Sequence, residues 1–220
     1  MKKNLTEIVF ILDESGSMYS LKNDTVGGFN SLIEKQKNED GEALISTVMF
    51  STDSHVVHDR VPLEKINVLS EKDYCPNGNT ALLDAVGNAI HHISTVHKYA
   101  REEDRPERTL FVITTDGMEN ASRIYSQKKI KEMIEKQKKE HDWEFIFLGA
   151  NIDAAETAAD IGIEKETAVN YAASTKGTSM LYSSIAHAVS NVRKGINNSC
   201  SSAWREELDE EYSRNINKTK

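Results

Sequence analysis

The chain alternates between short apolar runs and longer segments in which apolar residues recur every three or four positions. Residues 8–12, Ile-Val-Phe-Ile-Leu, form an unbroken apolar run, and 43–50, 108–115 and 143–148 are similar in character. Runs this short, rich in Ile, Val and Phe, predict strands covered on both faces. Residues 54–59 predict another strand, joined to 43–50 by Ser51-Thr52-Asp53 in a hairpin-like turn, and 167–170 a short last one. Between the runs the period becomes helical. Leu21, Val26, Phe29, Leu32 and Ile33 mark a helix over 21–37; Leu83, Val86, Ile90, Ile93 and His97 mark one over 81–99. Ser126 is placed to cap a helix running to about residue 140. Asp153 and Glu156 open a short helix that Gly162 ends, and 177–194 is a last helix with Gly195 as its C-cap.

Strands alternating with helices predict an α/β fold: a Rossmann-like, doubly wound sheet of six strands, mostly parallel, with helices on both faces. The 54–59 strand is the antiparallel edge, because its connection is too short for a crossover. Beyond Gly195 the pattern breaks. Residues 196–220 turn polar and then charged, and are read as a tail outside a 1–195 domain. That tail is either loosely ordered or a short helix anchored by Trp204, Leu208 and Tyr212.

The most informative polar cluster is Asp13-Glu14-Ser15-Gly16-Ser17, directly after the first apolar run. In open α/β sheets ligands bind beyond the carboxyl ends of the strands. Asp13, Ser15 and Ser17 alternate with other residues, so a tight loop can turn three oxygens toward one point. The run 110–115 ends in Asp116-Gly117, and Asn77-Gly78-Asn79-Thr80 leads into the 81–99 helix. Two carboxylates and three hydroxyls from three loops make a set of hard oxygen donors with room for a further ligand, which suits Mg²⁺, with Mn²⁺ or Ca²⁺ as alternatives. Glu14, Asn79, Glu119 and Asn151 fall beside these loops and are candidates for a partner-binding rim.

These three pieces, in this order, resemble the metal-ion-dependent adhesion site of von Willebrand factor type A domains. The resemblance runs from about Thr6 to Gly195 and is nearest to stand-alone bacterial or phage members, including tellurium-resistance-associated ones. It implies that Ser15, Ser17 and Thr80 contact the metal directly or through water, and that Asp13 and Asp116 do so directly or through a group that touches it. It further implies a protein partner whose Asp or Glu carboxylate completes the metal's coordination. Asn79 departs from the pattern, since related proteins often carry Gly there.

Composition narrows the function. A formal net charge of −8 on 220 residues argues against nonspecific nucleic-acid binding and against anionic membranes. No stretch is long enough to span a bilayer. The apolar segment after Met1-Lys2-Lys3 is interrupted by Glu7 and closed by Asp13, which does not fit a signal peptide. Two cysteines, Cys75 and Cys200, are too few for a disulfide framework and fit free thiols in the cytoplasm. A monomer in isolation is expected.

Other chemistries find less support. His55 and His58 diverge on a strand and His91 and His92 diverge on a helix, so a histidine zinc site is not expected. The lysines at 128, 129, 131, 136, 138 and 139 interleave with Glu132, Glu135 and Glu140 as on a solvated amphipathic helix. Asp84 is expected to orient loop groups. A Mg²⁺-dependent phosphotransfer or phosphatase activity is the enzymatic alternative. It lacks a phosphate loop and a nucleophile elbow, and the residue two positions beyond Asp13 is Ser15 instead of a second acid that could serve as general acid. A regulatory subunit with a purely structural metal is the other alternative. The reading preferred is a non-enzymatic interaction module.

Overall fold

The structure, a computed structural model, describes residues 1–196 and 204–219, with the backbone alone for 216–219. Cys200 lies outside the described residues. Six strands form one sheet: β1 (Lys2–Asp13), β2 (Glu42–Phe50), β3 (Ser54–Pro62), β4 (Pro106–Thr115), β5 (Glu144–Gly149) and β6 (Ala168–Asn170). Their spatial order is β3-β2-β1-β4-β5-β6, and only β3 runs antiparallel, against β2. The expected fold class is the observed one. Its strand order reverses between β1 and β4, which makes the crevice beyond those two strands the ligand position of doubly wound sheets.

The apolar runs earn their burial on two faces. In β1, Ile8, Phe10 and Leu12 join one core, and Val9 and Ile11 join the other. The first core is closed by α1 (Lys22–Lys37), α5 (Thr175–Arg193) and α6 (Glu206–Thr219). The second is closed by α2 (Leu82–Tyr99), α3 (Gln127–His141) and α4 (Ala154–Asp160). Period-two alternation on a sheet covered both sides is why these strands read as continuous apolar runs.

Helix ends follow local chemistry. The Ser126 hydroxyl accepts from the Lys129 amide at 3.3 Å, and the Asp153 carboxylate accepts from the Glu156 amide at 2.9 Å. Gly162 and Gly195 sit at φ 86° and 64°, the left-handed conformation that ends a helix most cheaply at glycine. On α3, Ile130 and Ile134 are buried while the lysines face outward.

One region differs from expectation, and a second follows the helical one of its two alternatives. β1 begins well before residue 8 and carries Glu7, fully buried, inside it. That charge is met by Arg60 Nε at 2.6 Å and His97 Nε2 at 2.5 Å. The 196–220 segment is helical over Glu206–Thr219, packs against α5 and β6, and puts Trp204 and Leu208 into the first core. Tyr212 is only half-buried, and Glu211 is buried and paired with Lys176 at 2.6 Å.

Candidate metal centre

Register brings the candidate loops together. Asp13 ends β1 opposite Phe50, and Leu12 pairs with Thr114 of β4, so Thr115 and Asp116 emerge level with Asp13. After Asp13 the chain enters a 3-10 turn, Gly16–Leu21, that drops Met18 and Leu21 into the core. This anchors the loop from below and leaves its hydroxyls at the crevice.

The side chains form one connected cluster. Asp13 Oδ1 accepts from the Ser15 amide at 2.7 Å, and Asp13 Oδ2 accepts from the Thr115 hydroxyl at 2.6 Å. The Tyr74 hydroxyl donates to the Asp13 carbonyl from beneath. The Ser17 hydroxyl donates to Asp116 Oδ1 at 2.6 Å and lies 3.1 Å from the Ser15 hydroxyl. Asp13, Ser15, Thr80 and Asp116 are buried, while Ser17 is exposed.

Thr80 joins from the third loop. Its amide donates to Asn120 Oδ1 at 3.0 Å, and its carbonyl accepts from the Asn120 amide at 3.1 Å. Its hydroxyl hydrogen-bonds no protein group among the described residues, and a side chain at Gly117 would begin 3.7 Å from that oxygen. The Thr80 hydroxyl therefore lies next to Gly117, beside the Asp116 loop. The Gly16 amide donates to the Gly78 carbonyl at 3.1 Å, tying the first loop to the Thr80 loop.

The electrostatics are those of an under-served carboxylate. Burial pushes the Asp116 carboxyl above its ordinary range; the Ser17 hydroxyl opposes this and the nearby Asp13 carboxylate adds to it. A buried carboxylate short of solvent and facing neutral hydroxyls is the environment a cation relieves. The donor set, oxygen throughout, matches a hard divalent ion. No group of three or more His, Cys, Asp or Glu able to hold a metal occurs among the described residues, so the hydroxyls are integral to any site here.

Searches with family models and among curated proteins return no match. Solved structures do match. Proximal thread matrix protein 1 from the mussel byssus, solved with a zinc-occupied MIDAS motif, aligns with a TM-score of 0.58 at 17% identity, over 82% of this chain and 44% of that one. Manganese-loaded Plasmodium vivax TRAP protein aligns at 0.55 and 16% identity, over 82% and 73%. A von Willebrand factor type A protein from Catenulispora acidiphila aligns at 0.52 and 13% identity, over 89% and 42%.

The fold is that of a von Willebrand factor type A domain.

This chain spans less than half the length of the mussel and Catenulispora proteins. Within the type A fold, the four rim candidates separate. Asn79 is exposed, with its amide held by the Thr52 hydroxyl at 2.9 Å. Asn151 is exposed at φ 57°, and its amide group donates to the Asp116 carbonyl at 3.2 Å. Glu14 is buried and turns away from Ser15 and Ser17: its carboxylate accepts from the Cys75 amide and lies 3.8 Å from His55 Nδ1. Glu119 is half-buried, and its carboxylate accepts from the Leu83, Ala121 and Ser122 amides and the Ser122 hydroxyl at 2.7–2.9 Å. Asp84 answers from α2, accepting from the amides of Arg123, Ile124 and Tyr125.

Glu119, Asn120, Ser122 and Asp84 thus clasp the loop after Asp116 onto the start of α2. This is how two of the three candidate loops are held in fixed relation. Asn120 and Ser122 carry no local sequence signal for that role, because their partners sit 40 and 38 residues away.

Proposed function

We propose that this chain is a divalent-metal-dependent protein-interaction module. Ser15, Ser17 and Thr80 would supply hydroxyl oxygens to the ion, with Asp116 contributing carboxylate charge. Asp13, whose two oxygens already accept from Ser15, Thr115 and Asp116, would orient these groups from behind or bind directly. The observation that carries the reading is the Thr80 hydroxyl, free of protein acceptors beside the buried, charge-starved Asp116. Mg²⁺ fits the small hydroxyl-rich set best, with Mn²⁺ and Ca²⁺ as alternatives. The metal's contribution is residual positive charge and an open position for an Asp or Glu carboxylate of a partner. Two similar structures bearing zinc and manganese by name support a divalent ion in this crevice.

A purely structural metal is the weaker reading. The loops are already joined by direct bonds, Ser17 to Asp116, Gly16 to Gly78 and Thr80 to Asn120. Catalysis is also weaker. His58, His92 and His97 pair with Thr47, Asp59 and Glu7, away from the candidate ligands, and His55 lies near Glu14, whose carboxylate also accepts from the Cys75 amide. No helix among the described residues is long and apolar enough to cross a membrane. A count of only two cysteines, too few for a disulfide framework, and the resemblance of the loops to stand-alone bacterial or phage proteins support a cytoplasmic setting.

Thermal unfolding in Mg²⁺ or chelator tests the reading. Ligand at a hundred times its Kd stabilises by about 2.7 kcal/mol. The Tm should rise with Mg²⁺ in the wild type and not in Ser15→Ala/Ser17→Ala. An equal rise in that double variant would contradict the assignment.

A further inference from the structure

Two large apolar side chains stand in water on the two segments joined by the Ser17–Asp116 hydrogen bond. Tyr19 is 76% exposed and Met118 is 74% exposed. Each lies two residues beyond a member of that bond, which is 2.6 Å long, so both are carried by the segments that form the candidate metal centre. Scattered exposed apolar residues need no explanation. This pair differs because both are held out by anchored backbone. Tyr19 rides on the 3-10 turn whose Met18 and Leu21 are buried. Met118 is followed by Glu119 and Asn120, which lock the loop to α2 and Thr80. A backbone already held in place spares the cost of ordering the loops on binding, leaving only that of the side chains.

Charge explains why such a pair would be needed. The chain carries a net −8, so its overall charge gives an acidic partner no attraction of its own. Asn79 and Asn151, the two exposed rim candidates, are neutral. A single carboxylate–metal contact leaves the rest of the affinity to apolar burial.

We propose that the partner segment is an acidic residue flanked by large aliphatic or aromatic side chains, which Tyr19 and Met118 cover while the carboxylate completes the metal's coordination. This rests on the metal-dependent reading above. Because apolar contact carries much of the affinity, binding resists added salt; a purely ionic contact would weaken steeply.

Two synthetic peptides that differ only in whether Leu or Ser flanks a single Asp serve as probes. Each is titrated into the full chain, in Mg²⁺ and in chelator, with the Met118 methyl followed by NMR. The Leu-flanked peptide should bind in Mg²⁺ about tenfold more tightly than the Ser-flanked one, the scale of burying large apolar side chains. That advantage should vanish in Tyr19→Ala/Met118→Ala, which should keep its Mg²⁺-induced rise in Tm. It should persist in Tyr99→Ala, an equally exposed residue at the far end of α2. Equal Mg²⁺-dependent affinity for both peptides would overturn the apolar rim and leave the metal reading standing. Equal binding in chelator, or no binding of either peptide in Mg²⁺, would overturn both the rim and its link to the metal.

Discussion

Replacing Glu119 with Ala tests whether the clasp holds the candidate site together. The α2 helix starts at Leu82 with no side-chain cap from its own N-cap residue, Ala81. The first-turn Leu83 amide is instead satisfied by Glu119 at 2.9 Å, and three more donors from Ala121 and Ser122 converge on the same carboxylate. Losing a cap costs roughly 0.5–2 kcal/mol. Each of the other bonds contributes about 0.5–1.5 kcal/mol net, and water replaces part of that at a half-buried site. The sum is about 3 kcal/mol. Glu119→Gln keeps one acceptor oxygen and should lose about half as much. Urea unfolding read by fluorescence and circular dichroism measures both, with an unchanged m-value as the check that only stability moved. Mg²⁺ affinity should fall in the Ala variant, because Asp116 and Thr80 lose their common brace. A loss under about 1 kcal/mol with Mg²⁺ affinity intact would refute the clasp as a positioning device.

Other outcomes follow from buried polar groups. Arg193 reaches from α5 to the end of α1, donating to the Gln36 side chain and to the carbonyls of Gln36, Glu39, Asp40 and Gly41 at 2.6–3.2 Å. Arg193→Met should cost about 3 kcal/mol and speed hydrogen exchange around residues 36–41. Burial holds His58 below its ordinary value, with Asp73 opposing weakly; its ring stacks on Phe29 and meets the Thr47 hydroxyl at 3.1 Å. The unfolded chain therefore binds the His58 proton first, so this contribution is full above about pH 6.5 and is lost as pH falls through the lowered folded value. His58→Gln should flatten the stability profile across that window; an unchanged slope would contradict the burial argument. Gly28 on α1 faces the Tyr182 ring, where an added Cβ would lie 2.2 Å from Cδ2, so Gly28→Ala should destabilise despite its better helix propensity, as thermal melts would show.

What the sequence made legible was what local chemistry determines. Central strands stand out because both faces are buried, so Ile8 to Leu12 carry no polar break. Ser126, Asp153 and Gly195 were readable as caps because each acts on amides or carbonyls within a few residues. The oxygen cluster was readable because Asp13 and Asp116 end apolar runs. Glu7 was opaque: it breaks the apolar pattern, yet it sits in a strand because Arg60 and His97, 53 and 90 residues away, neutralise it. Glu14 and Glu119, read as rim candidates, hid their amide-binding roles for the same reason. Their amide partners at Cys75 and Leu83 lie 61 and 36 residues away, beyond any periodicity. The stretch between β3 and α2 hid its role too. Leu63, Ile66, Leu69 and Tyr74 are buried there, with only a single 3-10 turn at Leu63–Lys65 and so no period to reveal them.

The central claim is that Asp116 and the three hydroxyls hold a divalent cation. Calorimetric titration of chelator-treated protein with Mg²⁺, Mn²⁺ and Ca²⁺, beside Asp116→Ala, tests it most directly. The account predicts saturable binding to one site in the wild type and none in the variant. Binding of equal strength in Asp116→Ala, or no binding in the wild type, would contradict it.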